Sequence, residues 1–464
     1  MKNKELYKIA LALAVPMMIQ NAITNMVGMV DSIMVGSLGT EAITAVSIIG
    51  QLIFVFNLGI FGCLSGPGIF GAQYFGKGDL ENVRNTFRLK LWLSTLVVLL
   101  GTLVFIFGGD FLIARYLRGE AADVDLSLTV SMAKDYLAIM LFSFLPFAYT
   151  QVYAGTLRET GSSIPAMAAG IVSVVTDIVL NYLFIFGKFG CPQLGVRGAA
   201  LATVIARVVE FVVLVSWVHW NKHRYEVIRG IYRTVLLPIK LALTIVKNGL
   251  PIFLNEFMWA AGIAVMTQCY SIRGMDIVPG LNIANVLMNL FNVVFIAMGN
   301  AVGILSGQRL GASEFDRAKK DAFALARFTG LLCLGLTVIL LGLSQFFPNL
   351  YHTSDQVRHH ATLFIMIQAA FLPVQGILNA LYFTIRSGGK TMITFLFDSV
   401  YSWVITVPIA FLLSNFTGIS IFIIFTIIQC CDVIKLLVGW YLVKKGVWIV
   451  NIANAKGSSE SAST

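Results

Sequence analysis

Charge is scarce in this chain. Only 12% of its 464 residues are Asp, Glu, Lys or Arg, against about a quarter in soluble domains. With 58% hydrophobic residues and a mean hydropathy of +0.83, a soluble fold would leave far too much apolar surface in water. A bilayer accepts such a chain. Also missing is the alternation of apolar and polar residues that marks barrel strands, which need only about ten residues to cross. The apolar runs, among them Trp92–Phe107 with its flanks, Met392–Leu413 and Ile419–Val443, approach or exceed the ~20 residues of a crossing helix. An all-α integral membrane protein follows.

Histidine is equally sparse. His219, His223, His352, His359 and His360 all fall at span ends or in loops. The cluster of His352, His359 and His360 has metal-binding residue types, but a solvated loop is the plainer reading. The six cysteines lack metal-ligand spacing and read as small hydrophobic free thiols. No glycine-rich phosphate loop is present, which excludes ATP hydrolysis within this chain. With no histidine inside a span, no nucleophile–base or metal constellation for an enzyme emerges, and no cofactor is implied. The basic start Met1–Lys8 is followed by a run containing Pro16, Gln20, Asn21, Asn25 and Asp31 without a cleavage-like site. It reads as a first span rather than a signal peptide.

Apolar runs bounded by Gly, Pro and charge predict twelve transmembrane helices, at 8–35, 42–76, 88–108, 130–154, 164–186, 196–220, 241–271, 277–308, 322–347, 358–384, 391–414 and 418–443. Alternate loops and both termini then hold 24 of the 33 Lys and Arg, and the opposite loops hold seven. Arg207 and Lys435 remain as cations within spans. The bias predicts an inner, plasma-membrane protein with both termini cytoplasmic. The net charge of +10 thus faces the anionic leaflet rather than nucleic acid.

Shifted by 235 residues, Pro16–Gly76 aligns without a gap on Pro251–Gly311. The shared residues include Pro16/Pro251, Gly39/Gly274, Asn57/Asn292, Gly68/Gly303, Gln73/Gln308 and Gly76/Gly311. Matched prolines and glycines imply matched bends and close contacts. A second match pairs Phe144-Leu145-Pro146 with Phe371-Leu372-Pro373, Arg158 with Arg386 and Gly161 with Gly389. Six spans per half is an even number, so the halves are parallel repeats related by a pseudo-two-fold along the membrane normal. The expected organisation is a six-helix lobe over 1–220, a basic cytoplasmic linker over 221–247 running into helix 7, a second lobe over 241–445, and a polar cytoplasmic tail over 446–464, disordered from Asn454.

Several motifs resemble the multidrug and toxic compound extrusion (MATE) family. They are Val30-Asp31-Ser32-Ile33-Met34-Val35-Gly36, the pair Gly71-Ala72-Gln73-Tyr74-Phe75-Gly76 and Ser306-Gly307-Gln308-Arg309-Leu310-Gly311, Leu157-Arg158-Glu159-Thr160-Gly161, and Asn181–Gly187 followed by Gly195–Thr203. The resemblance covers about residues 10–445. It implies secondary active efflux: cationic, often aromatic compounds leave as Na⁺ or H⁺ enters, by alternating access between two lobes. The wider superfamily supplies the alternative, a flippase for lipid-linked saccharides. The implied partners are small organic cations and the bilayer, with the chain acting as a monomer.

An ionisable residue in a span is costly and so is a functional candidate. The in-span acids are Asp31, Asp177, Glu210, Glu256, Asp398 and Asp432. Arg207 with Glu210, and Asp432 with Lys435, are three residues apart and are expected to form local salt bridges. That leaves Asp31, Asp177, Glu256 and Asp398 without a local partner. The resemblance places Asp31 at the family's first-helix acid, central to cation coupling. Asp177 and Asn181 share a helix face, in the exchange of the family's usual Asn-then-Asp order, and Thr203 matches a family hydroxyl near that site. Oxygens of Asp31, Asp177, Asn181 and Thr203 suit Na⁺, and the carboxylates alone suit H⁺. Glu256 resembles a family acid and is a candidate substrate or second cation site, as is Asp398. Asn282, Asn285, Asn289 and Asn292 line one helix face. They are placed in interhelix hydrogen bonding or, alternatively, in a polar cavity wall. Glu256 aligns with Asn21 and Asp31 with Met266 across the repeat, so the acids are not repeated. The unpaired in-span charge is negative, favouring cationic cargo over a phosphate-bearing one.

Overall fold

The computed structural model describes residues 3–117, 125–234 and 236–454. Lys2, Arg118 and Lys456, which entered the charge count, and the tail from 455 on lie outside the described residues. The described residues form helices and loops with no strand. Twelve helices are long and apolar enough to cross a membrane: α1 Lys4–Gly36, α2 Thr40–Lys77, α3 Leu80–Tyr116, α4 Leu126–Glu159, α5 Ile164–Phe186, α6 Val196–Trp220, α7 Ile239–Ser271, α8 Ile277–Gly311, α9 Phe315–Leu343, α10 Asp355–Ser387, α11 Thr391–Phe416 and α12 Ile421–Lys445.

All twelve predicted spans are present, but several helices outrun them. Helix α3 begins at Leu80, not 88, and α9 at Phe315, not 322. Hydropathy reports the ~30 Å of hydrocarbon, whereas backbone hydrogen bonding continues through charged flanking turns. An acid in the first turn, Glu81 in α3 and Asp316 in α9, favours those starts by opposing the helix dipole.

The chain divides into two compact units. One comprises Ile19–Gly68 and Leu80–Ala242, the other Met1–Met18, Ile69–Asp79 and Leu243–Thr464. Helices α1 and α2 contribute to both, and each passes between units just after an internal proline, Pro16 or Pro67. A proline removes one backbone hydrogen bond and kinks a helix, so these are places where a long helix can bend.

In the first unit, Phe56 stacks on Phe144 with centroids 4.0 Å apart, at the centre of an apolar cluster from α1–α6. Helix α4 is interrupted by a 3₁₀ turn at Leu141–Ser143, just ahead of Pro146. Its counterpart α10 runs unbroken through Pro373.

In the second unit, the start of α1 packs into the cluster of α8, α9, α10 and α12. Here the end of α2 crosses the end of α8 with backbones in contact. A Cβ added to Gly76 would lie 2.0 Å from the carbonyl oxygen of Gln308, and one on Gly311 would lie 1.9 Å from that of Gln73. The contact is reciprocal because Gln73/Gly76 and Gln308/Gly311 are the aligned pairs of the repeat. Only residues without a Cβ fit both sides.

The polar tail placed from 446 starts with an ordered segment. Gly446, at a positive φ of 77°, caps α12, and Trp448 is 1% exposed. Gln73 donates to the carbonyls of Ser387 and Val450 and accepts from the Ile452 amide at 2.9 Å. Lys77 donates to the Ala453 carbonyl at 3.0 Å. A glutamine buried at the helix crossing therefore holds the segment by its backbone, which leaves no signal in the segment's own composition.

Candidate functional site

Helix α5 buries Ala169, Ser173, Asp177, Asn181 and Ile185, a stripe at the helical i, i+4 spacing. Two strongly polar side chains thus lie on the packed face. Asn181, 1% exposed, donates from Nδ2 to Asp31 Oδ1 of α1 at 2.8 Å. Asp177, 6% exposed, lies beside the Asp31 carboxyl and the Thr203 hydroxyl of α6. That hydroxyl is also 3.1 Å from the Ala199 carbonyl. The four residues singled out from the sequence are therefore brought together. The exchanged order leaves both α5 residues facing inward, with the amide rather than the acid bonded to Asp31.

Two atoms of this cluster are unsatisfied. Asp177 Oδ1 and Asn181 Oδ1 are buried without a hydrogen-bond partner. A buried acceptor left unpaired costs about 1–3 kcal/mol, so the cluster has capacity for a proton or a cation. Hard cations take oxygen ligands of this carboxylate, amide and hydroxyl kind. Arg207, the basic group in the neighbourhood, is engaged by Glu210 at 2.8 Å and lies over the Phe147 ring. That local ion pair matches the expectation from spacing. Tyr136 of α4, buried beside both acids, is a neighbour that spacing does not reveal.

The second unit holds a different arrangement. Asp398 sits in the first of two π-helical turns in α11, at Leu396–Val400 and Ser402–Thr406. Such turns recur at functional sites and re-aim side chains. Asp398 accepts from Lys435 of α12 at 2.6 Å and from Asn255 of α7 at 2.9 Å. Asn255 also donates to the Tyr382 hydroxyl and accepts from Ser399. Glu256 faces Arg386 of α10 at 3.5 Å, and Arg386 donates to Tyr382.

Three expectations are corrected here. Glu256 and Asp398 do not lack partners: Arg386 and Lys435 face them. Lys435 does not bond to Asp432, which instead accepts from Gln375 at 2.6 Å. Spacing of three permits a contact along one helix, but the lysine reaches the carboxylate presented by α11. Nor are Arg207 and Lys435 the sole cations within helices. Arg386 falls inside α10, which continues to Ser387, and Lys90 of α3 is buried against Glu159 of α4 at 2.5 Å. Arg386 lies where polar turns extend the helix beyond its apolar run, and Lys90 lies just inside the start of the predicted span, where it was counted with the cytoplasmic charges. Buried Asn255 and half-buried Tyr382 were missed because an amide or phenol in an apolar run carries no charge signal.

On α8, Asn282, Asn285 and Asn289 are exposed on the unit rather than buried between its helices, with Asn285 accepting from Gln368 at 3.4 Å. That bond is an interhelix one, while the exposed amides also suit a polar wall, and Asn292 is half-buried. His360 packs its ring on Phe422, and among the described residues no group of three His, Cys, Asp or Glu is gathered for a metal.

Comparison with known proteins places this architecture. A MatE family profile matches residues 16–183 and 251–412, the two segments bearing the internal repeat. The chain is 27% identical over 410 residues to a probable multidrug resistance protein, YoeA, of Bacillus subtilis, covering 88% of this chain and 87% of that one. It is 25% identical over 428 residues to a probable multidrug resistance protein, NorM, of Thermotoga maritima, covering 89% and 86%. A crystal structure of the Vibrio cholerae MATE transporter VcmN superposes with a TM-score of 0.83 at 18% identity, over 96% of this chain and 98% of that one. The chain belongs to the MatE family, and it is a multi-pass membrane transporter, not an enzyme.

Proposed function

We propose that the protein is a secondary active multidrug efflux antiporter, exporting organic cations in exchange for Na⁺ or H⁺. The observation that carries this reading is the cluster of Asp31, Asp177, Asn181 and Thr203 with its two unsatisfied buried oxygens. Na⁺ would take ligands from those four residues; H⁺ would bind on the Asp31–Asp177 pair. Ion and drug are coupled by mutual exclusion: ion binding disfavours the drug-bound, outward-open state, and linkage makes the effect reciprocal. The two six-helix halves, 1–220 and 241–445, would exchange access, with bending at Pro16 and Pro67 of α1 and α2 and at the repeat-matched Pro251. In the plasma membrane the charge bias puts both termini in the cytoplasm.

Glu256, Asp398 and the amides Asn282, Asn285 and Asn289 form the substrate-facing set in this reading. Exposed amides in an apolar helix are costly against lipid and acceptable against water, which supports a hydrated wall. Because Arg386 and Lys435 are each neutralised by a carboxylate, neither is spare to hold a phosphate there. This weighs against the lipid-linked saccharide flippase.

The test is efflux of ethidium from loaded proteoliposomes under an imposed Na⁺ gradient and then an imposed pH gradient, for wild type and Asp31→Asn. Efflux driven by one gradient and lost in the well-folded variant is expected, and it names the ion. Full activity in Asp31→Asn removes the coupling role. Absence of gradient-driven efflux in wild type transfers the case to the flippase.

A further inference from the structure

A cavity of about 570 Å³ opens in the second unit between the start of α1, the first half of α9 and the end of α12. Its lining includes Lys320, Arg327 and Lys444 with the rings of Tyr7, Phe323 and Trp440, and no acid. Lys320 and Arg327 are two turns apart on one face of α9, and Lys444 lies one turn beyond Trp440 on α12. The rings are tightly placed: Phe323 and Trp440 have centroids 4.7 Å apart, and Tyr7 stacks on Phe328 at 4.4 Å. Arg327 lies 5.8 Å over the Trp440 ring.

Among the described residues the three cations have no anionic partner, unlike the two arginines at the preceding turn. Among the described residues, Arg309 is paired with Glu314 and Asp321, and Arg317 with Glu314. Among the described residues, Lys320, Arg327 and Lys444 make no ion pair or hydrogen bond, and all three are exposed. Their depth is equally specific. Residues 328–347 carry no charge, and those of them within α9, 328–343, rise about 24 Å at 1.5 Å per residue, most of the ~30 Å hydrocarbon thickness. Arg327 therefore stands at the hydrocarbon boundary, with Lys320 about 10 Å further out, at headgroup level. Aromatic side chains settle at the same level.

We infer that this cavity binds the headgroup of an anionic phospholipid, its phosphodiester held by Lys320, Arg327 and Lys444 and its glycerol end against the rings. A guanidinium and two ammonium groups supply charge-assisted hydrogen bonds to phosphate oxygens, and cation pockets between helices at the leaflet surface suit such lipids. The site is independent of the coupling cluster and does not require the antiport reading to hold.

The test uses delipidated full-length protein in detergent, titrated separately with dioleoyl phosphatidylglycerol, dioleoyl phosphatidylcholine and inorganic phosphate. Thermal stability and lipid retained in native mass spectra are read together. Phosphatidylglycerol should raise Tm and be retained; phosphatidylcholine and phosphate should do neither. Lys320→Ala/Arg327→Ala/Lys444→Ala should weaken phosphatidylglycerol binding roughly a hundredfold and Lys320→Ala alone about fivefold. Lys222→Ala/Arg224→Ala, on an exposed turn of the other unit, should leave it unchanged. Wild-type affinity in either the folded triple variant or Lys320→Ala overturns the site. Equal binding of phosphatidylcholine shows that charge is not read, and a full effect from inorganic phosphate shows a free-anion site; both overturn the lipid assignment. Loss in the Lys222/Arg224 variant reduces the effect to net charge and overturns it as well.

Discussion

In the first unit, Asp31 and Asp177 lie side by side, with an amide and a hydroxyl beside them and two buried oxygens left over. In the second, Asp398 and Glu256 each face a basic side chain on a neighbouring helix. Both arrangements place carboxylates inside long apolar helices of one duplicated fold. The first leaves two buried oxygens without a partner, as the proposed ion site requires. The second neutralises its charge internally, through Lys435 and Arg386, and ties α7, α10, α11 and α12 together. Duplication copied the prolines and glycines that shape the helices, while the acids were placed independently. An incomplete site suits a travelling ion, and a complete one suits a scaffold or a wall.

The largest effect that could break this contrast concerns transport. Asp177→Asn should reduce ion-driven ethidium efflux by about 5- to 150-fold, the range of typical coupling energies, with little change in Tm. An unchanged ion dependence would show that the first unit's pair is as structural as the second's. Stability should respond in the opposite place. Lys435→Met strands Asp398 without its ammonium partner and should cost about 3–5 kcal/mol, whereas Asp398→Leu/Lys435→Met removes both charges and should recover most of it. Detergent thermal melts of the single and double variants read this directly. A neutral single variant would mean that Asp398 tolerates isolation, as Asp31 is proposed to do.

The smallest effect sharpens the comparison at a helix start. Asp125 caps α4 by accepting from the Ser127 hydroxyl and the amides of Ser127 and Leu128, and these bonds hold its carboxyl below the ordinary value. Ser354 caps α10 in the other half, accepting from the Val357 amide at 3.3 Å. A depressed folded pKa contributes stability above the unfolded value, and that contribution fades as pH falls through the folded one. Asp125→Ser should therefore remove a small acid-side loss of stability, while Ser354→Ala should lower Tm slightly and equally at every pH between 4 and 8. Melting curves across that range check both.

Much of this was legible in the residues. Long apolar runs indicated every crossing helix, because lipid excludes unsatisfied backbone. Gly76 and Gly311 were visible as matched positions before their backbone contacts were known. Asp31, Asp177, Asn181 and Thr203 could be named together through motif resemblance, and helical spacing supplied the Asp177–Asn181 face. Spacing along one helix also found Arg207–Glu210 but misassigned Lys435, since a long side chain can choose between its own helix and a neighbour. Arg386 was hidden by reading a helix end from hydropathy, which stops where the hydrocarbon stops, and Lys90 by its place among the basic residues at a span's start.

Composition and hydropathy sufficed for the class and the helix number, because solvent partition acts on each segment separately and needs no knowledge of its neighbours, and matched residue identities sufficed for the repeat. Which carboxylate is neutralised and which is left with open oxygens depended on helices brought together from distant parts of the chain. The π-helical turns of α11, the crossing of α2 with α8 and the docking of residues 446–454 on Gln73 arose in the same way. Hydrogen bonds and ion pairs act over a few ångströms, and packing alone sets which groups come within that range.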